Sequence, residues 1–177
     1  MRPVATPTLR LEPLTAGHAR EMFQVLSDPA IYEFENEPPV SEDALARRYA
    51  MLERRASPDG REAWLNWVIR LPGGELAGYV QATVLASGAA YVAYELASRF
   101  WRRGIGSAAV SAMLGELREH HRVSLFVAVL KARNFRSVGL LRKLGFGPGS
   151  AEQCAAFGAG ADELTMVRPA AAGTARA

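Results

Sequence analysis

The chain has 177 residues, of which 49% are apolar and 22% charged, a balance that excludes a disordered polar chain and suits a folded domain with a sizeable core. Its net charge is +3 and its pI about 9.3. The surplus is scattered over Arg47-Arg48, Arg54-Arg55 and Arg102-Arg103 with acids between them, which disfavours nucleic acid as the main partner.

Thr8 to Leu14 alternates apolar and polar residues and reads as a first strand. Thr15 can cap a helix to about Ser27 with Ala19, Met22, Phe23 and Leu26 on one face, and Asp28-Pro29 breaks it. Glu33 to Val40 is acidic and proline-containing, hence irregular. Ser41 opens a charged helix to about Arg55 whose apolar stripe is Leu45, Tyr49 and Leu52. Trp64 to Leu71 and Leu76 to Leu85 form a hairpin across Pro72-Gly73-Gly74-Glu75, and a further strand runs from Ala90 to Ala97. A helix follows to about His121. Val123 to Leu130 is a continuous apolar strand, as expected where both faces are covered. Asn134 caps a helix to Leu144 closed by Gly145, Phe146 to Ser150 is extended, and Asp162 to Val167 is a last strand. No internal repeat is visible. The expectation is one domain over residues 8–168 and a flexible tail over 169–177.

No apolar run reaches the roughly 20 residues of a membrane span, and Met1-Arg2-Pro3-Val4 lacks the apolar stretch of a signal peptide. The expected location is therefore the cytoplasm, with no membrane partner. The lone Cys154 forms no intrachain disulfide, and His18, His120 and His121 are badly spaced for a metal, so none is expected.

The most informative stretch is Trp101-Arg102-Arg103-Gly104-Ile105-Gly106-Ser107-Ala108-Ala109, between a strand and a helix. Its glycines let backbone N–H groups crowd together beside the positive end of a helix dipole, with two arginines alongside. That is a receptor for phosphate or pyrophosphate. The P-loop string is absent. Gly104-Ile105-Gly106-Ser107-Ala108-Ala109 does match the dinucleotide pattern, but several strands precede it, and Phe126 to Leu130 lacks the acid expected about 20 residues on. A second motif, Asn134-Phe135-Arg136-Ser137 leading into Leu140-Leu141-Arg142-Lys143-Leu144-Gly145-Phe146, decides between readings.

Together the two motifs resemble the GNAT superfamily of acetyl-CoA-dependent N-acetyltransferases, in particular its ribosomal-protein-alanine (RimJ/RimL-type) branch, over about Thr8 to Arg168. The resemblance implies an α+β, three-layer fold: a mixed, mostly antiparallel sheet of 6–7 strands with helices on both faces and a splayed parallel strand pair at the cofactor site. It implies that the coenzyme A pyrophosphate sits on the turn Arg102, Arg103, Gly104, Ile105, Gly106 and Ser107. The pantetheine arm would pair with backbone groups near Leu96 and Ala97. Asn134 would contact the cofactor, and Ser137 would lie near the thiol. The family tyrosine on the last helix is missing, since that stretch reads Val138-Gly139-Leu140-Leu141; Ser137 or water would protonate the thiolate. Trp101 replaces the common Gln or Arg.

Acetyl transfer needs a base for the amine, a donor for the oxyanion and a proton for the thiolate. Glu95 is the preferred base, with Glu35, Glu37 and Glu163 as alternatives. Phe34, Glu35 and Glu37 are expected in the acceptor pocket, where local acidity attracts a cationic amine. The expected acceptor is a protein N-terminus or a small amine, and the enzyme a monomer or homodimer. A non-catalytic acyl-CoA-binding module on the same fold is the competing reading.

Overall fold

The computed structural model describes residues 1–34 and 36–170. In chain order it contains β1 (Val4–Ala5), β2 (Arg10–Pro13), α1 (Ala19–Leu26), α2 (Glu42–Leu52), β3 (Glu62–Arg70), β4 (Leu76–Leu85), β5 (Ala89–Leu96), α3 (Ile105–His120), β6 (Leu125–Lys131), α4 (Phe135–Lys143), β7 (Gly147–Pro148), α5 (Ala151–Phe157) and β8 (Glu163–Pro169). The strands form one sheet in the order β1-β2-β3-β4-β5-β6-β8-β7. Every pairing is antiparallel except β5 with β6. The expected fold class is borne out. The count rises to eight because of β1 and β7, each two residues long and too short to show a period in sequence.

Helices cover both faces. In β3, Leu65 to Ile69 are all buried, which requires cover on each side. Trp67 turns to one face, where its indole donates to the Arg2 carbonyl (3.0 Å) and Arg2 in turn meets Glu116 of α3. Asn66 turns to the other, toward Tyr49 and Arg48 of α2. The core between the layers includes Met22, Trp67, Val80, Met113, Leu117 and Phe126. At the chain's end, Pro169 pairs with Leu125 and the Ala170 amide donates to the Ser124 carbonyl (2.9 Å), so the ordered sheet extends past the expected start of the tail. Residues 171–177 lie outside the described residues.

Candidate active site

The parallel pair β5–β6 is registered only over Ala89↔Leu125, Ala90↔Phe126 and Tyr91↔Val127. Beyond Tyr91 the strands part, although β6 stays paired with β8 as far as Lys131. The splay leaves one edge of β5 without a neighbouring strand. The bond from the Ala97 amide to the Ala77 carbonyl (3.0 Å) fixes the phase of that edge. Odd-numbered residues of β5 turn their amides to β4, so Val92, Tyr94 and Leu96 turn theirs to the gap.

At the mouth of the gap lies a cleft of about 500 Å³. Its lining includes Gly104, Gly106 and Ser107 from the glycine turn, Asn134, Ser137 and Leu140 from α4, and Tyr94, Glu95 and Leu96 from β5. The turn alternates left-handed residues, Arg102 at φ 58° and Gly104 at φ 79°, which gathers successive amides on one side. Gly104 is the cap of α3 and has no side chain with which to satisfy the first amides of the helix. An anionic ligand is the natural partner for them. Arg102 lines the cleft; Arg103 does not, and its guanidinium lies 5.7 Å from the Phe100 ring centroid instead. Ile105 and Ala97 lie outside the lining.

Two backbone groups expected to pair with the pantetheine are already engaged. The Ala97 amide serves Ala77, and the Leu96 carbonyl accepts from the Trp101 indole (2.9 Å). The groups left for an added strand are therefore the Leu96 amide and the backbone of Tyr94. The sequence reading missed this because it gave Trp101 no partner.

Asn134 caps α4, its side-chain oxygen accepting from the Ser137 amide (3.1 Å). The oxygen is thus committed, and the amide nitrogen is the group Asn134 can turn to a ligand. Ser137 has a neighbour the sequence did not reveal. The Tyr94 hydroxyl, reaching from β5, donates to the Ser137 carbonyl at 3.4 Å. Burial pushes the Tyr94 phenol up to about 12, against a hydrogen bond with Ser137 and with the help of the Glu95 charge. A phenolic proton donor thus stands in the cleft although α4 has no tyrosine. Strict alternation along β5, with Glu95 on the opposite face, was the signal that could have found it.

A second cavity of about 290 Å³ adjoins the face of the sheet under α2. The cross-strand pairs Asn66↔Gln81 and Tyr79↔Glu95 bring four polar side chains to its lining, where a core would be apolar. Tyr32, Arg48 and Tyr49 line it as well, together with Pro38, Pro39 and Glu37, the last exposed to solvent. Tyr49 is only 3% exposed, yet its hydroxyl has no hydrogen-bond partner among the described residues. Burial raises the phenols of Tyr32 (to about 12), Tyr49 and Tyr79, and the Glu95 carboxylate pushes Tyr32 and Tyr79 further. Three neutral hydroxyls therefore line the cavity at neutral pH.

Glu95 is the one described residue that lines both cavities. Its position depends on Gly78 in β4, where φ is 156° and a Cβ would stand 1.9 Å from the Glu95 carbonyl oxygen. No side chain fits between the strands there.

The remaining candidates separate. Phe34 lines the cofactor-side cleft rather than the second cavity, and Glu37 lines the second cavity. Glu35 lies outside the described residues. Glu163 accepts from Gly160 (2.8 Å) and pairs with Lys131 (3.0 Å), outside both linings. Among the described residues, no group of three His, Cys, Asp or Glu side chains could hold a metal ion, and no helix is long and apolar enough to cross a membrane.

The GNAT acetyltransferase-domain model matches residues 8–147. No curated protein matches significantly. Among solved structures, RimL, the ribosomal L7/L12 alpha-N-protein acetyltransferase in complex with coenzyme A, superposes with a TM-score of 0.78 at 19% identity, covering 94% of this chain and 97% of that one. The ribosomal-protein-S5-alanine acetyltransferase of Vibrio fischeri gives 0.77 at 16%, covering 94% and 96%. The microcin C7 self-immunity acetyltransferase MccE, in complex with acetyl-CoA and AMP, gives 0.77 at 15%, covering 93% of each chain. At these identities the likeness is one of fold.

Proposed function

The chain belongs to the GNAT acetyltransferase family, and from that premise we propose that it transfers an acetyl group directly from acetyl-CoA to a primary amine in a ternary complex. The observation that carries the reading is Glu95 in the lining of two cavities, one beside an amide-lined glycine turn and the other polar, with Glu37 also in its lining. The turn from Arg102 to Ser107 receives the pyrophosphate. The pantetheine lies in the splay against Tyr94 and Leu96, with Asn134 beside it. The amine enters past Glu37, and Tyr32, Tyr49 and Tyr79 surround it.

Glu95 takes a proton from the ammonium, directly or through water. The freed lone pair attacks the thioester carbonyl carbon, and a backbone N–H stabilises the oxyanion. The C–S bond then breaks as the amide forms; the nitrogen sheds its remaining extra proton to Ser137, directly or through water, as the Ser137 hydroxyl gives its own to the thiolate, with the protonated Tyr94 hydroxyl next to it. Single-domain organisation over residues 8–168 and the RimJ/RimL-type branch belong to the same proposal. A peptide N-terminus of the kind that RimL's name specifies is one acceptor to try, and a small amine is the other.

The test is an amine and peptide panel with acetyl-CoA, following free thiol. The expected result is thiol release with at least one acceptor, and a Glu95→Gln variant whose kcat falls about 10²–10⁴-fold with loss of the acidic limb of the pH–rate profile. A protein that binds coenzyme A but releases no thiol with any amine would be a sensing module. Wild-type kcat in Glu95→Gln would eliminate that residue as the base.

A further inference from the structure

The segment leading to the acceptor entrance is held across the cofactor cleft by Arg136. Arg136 projects from the first turn of α4. Its guanidinium lies 4.4 Å from the Trp101 ring centroid and 5.2 Å from that of Phe34, and it donates to the Glu33 carboxylate at 2.5 Å. Arg133, from the turn before α4, adds a second cation 5.8 Å from Phe34. Trp101 is itself fixed by its indole bond to the Leu96 carbonyl. Phe34, Trp101 and Arg136 all line the cofactor-side cleft. The guanidinium therefore bridges an aromatic of the glycine turn and an aromatic of the acceptor-side segment.

We propose that Arg136 is a positioning residue for the acceptor, a clamp that holds the segment through Glu33 and Phe34 against the glycine turn and so sets the shape of the amine entrance. This extends the acetyl-transfer reading and rests on it. The bond from the Ser98 amide to the Asp28 carboxylate (2.6 Å) holds only the start of the segment. After the 3-10 turn Pro29–Tyr32, Glu33 and Phe34 fall outside any helix or strand. The Tyr32 hydroxyl is tied to the Leu26 carbonyl (2.7 Å), but it is two residues short of Phe34. A planar guanidinium can cover a ring and ion-pair at its edge at the same time, whereas a compact ammonium cannot do both. Because α4 also carries Asn134 and Ser137, the clamp joins the acceptor entrance to the helix that serves the cofactor.

Four variants test this. Arg136→Gln and Phe34→Leu are each expected to raise KM for the amine about tenfold, a larger change than in the calorimetric Kd for coenzyme A. The double variant is expected to be no worse than the poorer single one, since both remove the same contact. Arg136→Lys keeps the charge opposite Glu33 but loses the stacking, so it recovers only part of the KM. An unchanged amine KM in Arg136→Gln, or additive effects in the double variant, would overturn the clamp. A loss confined to coenzyme A affinity would overturn it too, making Arg136 a cofactor ligand. A second measurement needs no acceptor: amide hydrogen exchange over residues 29–34 is expected to speed up in Arg136→Gln without any substrate. Unchanged exchange overturns the clamp even if no amine is ever acetylated, whereas faster exchange with no turnover keeps the clamp and removes the acetyl-transfer reading.

Discussion

Gly104 is required for its backbone rather than for its size. A Cβ there would meet nothing within 4 Å, but φ is 79°, a region that side chains with a Cβ enter at a cost of roughly 1–2 kcal/mol. Gly106 is the reverse case, with an ordinary helical backbone and a Cβ position 3.0 Å from Leu140 Cδ1. Gly104→Val is therefore expected to distort the turn and raise the Kd for coenzyme A at least about tenfold, while the melting temperature falls by only about 2–8 °C. Calorimetry giving a wild-type Kd would remove this turn as the pyrophosphate seat. Gly104 and Gly106 were legible in the sequence because a crowded turn at a helix start selects glycine, and Asn134 because a helix cap selects a short polar side chain, whereas Ser137 was singled out through the family resemblance. Tyr49 was not legible. It falls on the apolar stripe Leu45, Tyr49 and Leu52, so periodicity reads it as core. Only the fold shows its hydroxyl buried, without a partner among the described residues, in the cavity that Asn66, Gln81 and Tyr79 also line.

The site depends on how separate elements are joined, and Asp28 joins two of them. It stands at the cap of the 3-10 turn Pro29–Tyr32, where its carboxylate accepts from the Ala30 amide (3.0 Å) and also from the Ser98 amide (2.6 Å), just past the end of β5. The start of the acceptor-side segment is thus tied to the strand that carries Glu95. Burial alone would raise the Asp28 carboxyl, but the bonds from Ser98 and Ala30, with the Arg99 charge, hold it below the usual carboxylate range. A depressed folded pKa gives stability that is present above the unfolded value of about 3.9 and lost as pH falls through the folded one. Asp28→Ala should cost about 1–2 kcal/mol at pH 7, and the gap from wild type should close as melts are repeated toward pH 2. A gap independent of pH would mean that the carboxylate charge contributes nothing. At this scale the longer elements were legible from their periods, and Ser41, Asn134 and Gly145 marked helix ends. The helix Ala151–Phe157 was not, because its seven residues bury none of their number and so carry no apolar stripe. The splay was legible only through the family resemblance, since no residue in β5 or β6 announces where a pairing stops.

At the scale of the molecule, the sheet is closed on its α3 side by a strap made of the first five residues. β1 pairs with β2, the Arg2 carbonyl accepts from the Trp67 indole, and the Arg2 guanidinium reaches Glu116 at 2.9 Å. Glu116 lies mid-helix with its side chain only 2% exposed, and His120 and His121 each approach it to 3.9 Å. A buried carboxylate losing its main partner is costly, though Arg2 is itself 59% exposed, which reduces the effect. Arg2→Ala should therefore lower stability by about 1–2 kcal/mol, read as a fall in urea midpoint with an unchanged slope. His121 gives the same cluster a pH dependence of definite sign. Burial lowers its pKa, with Glu116 opposing and the N-terminal ammonium and His120 assisting. The unfolded chain thus binds a proton on this imidazole more readily than the folded one. The stability His121 contributes is complete above its unfolded value of about 6.5 and is lost as pH falls through the depressed folded value. His121→Gln removes that titration, so between pH 7 and pH 5 the wild-type melting temperature should fall further than the variant's. Parallel curves for the two proteins would show that the imidazole titrates alike in both states.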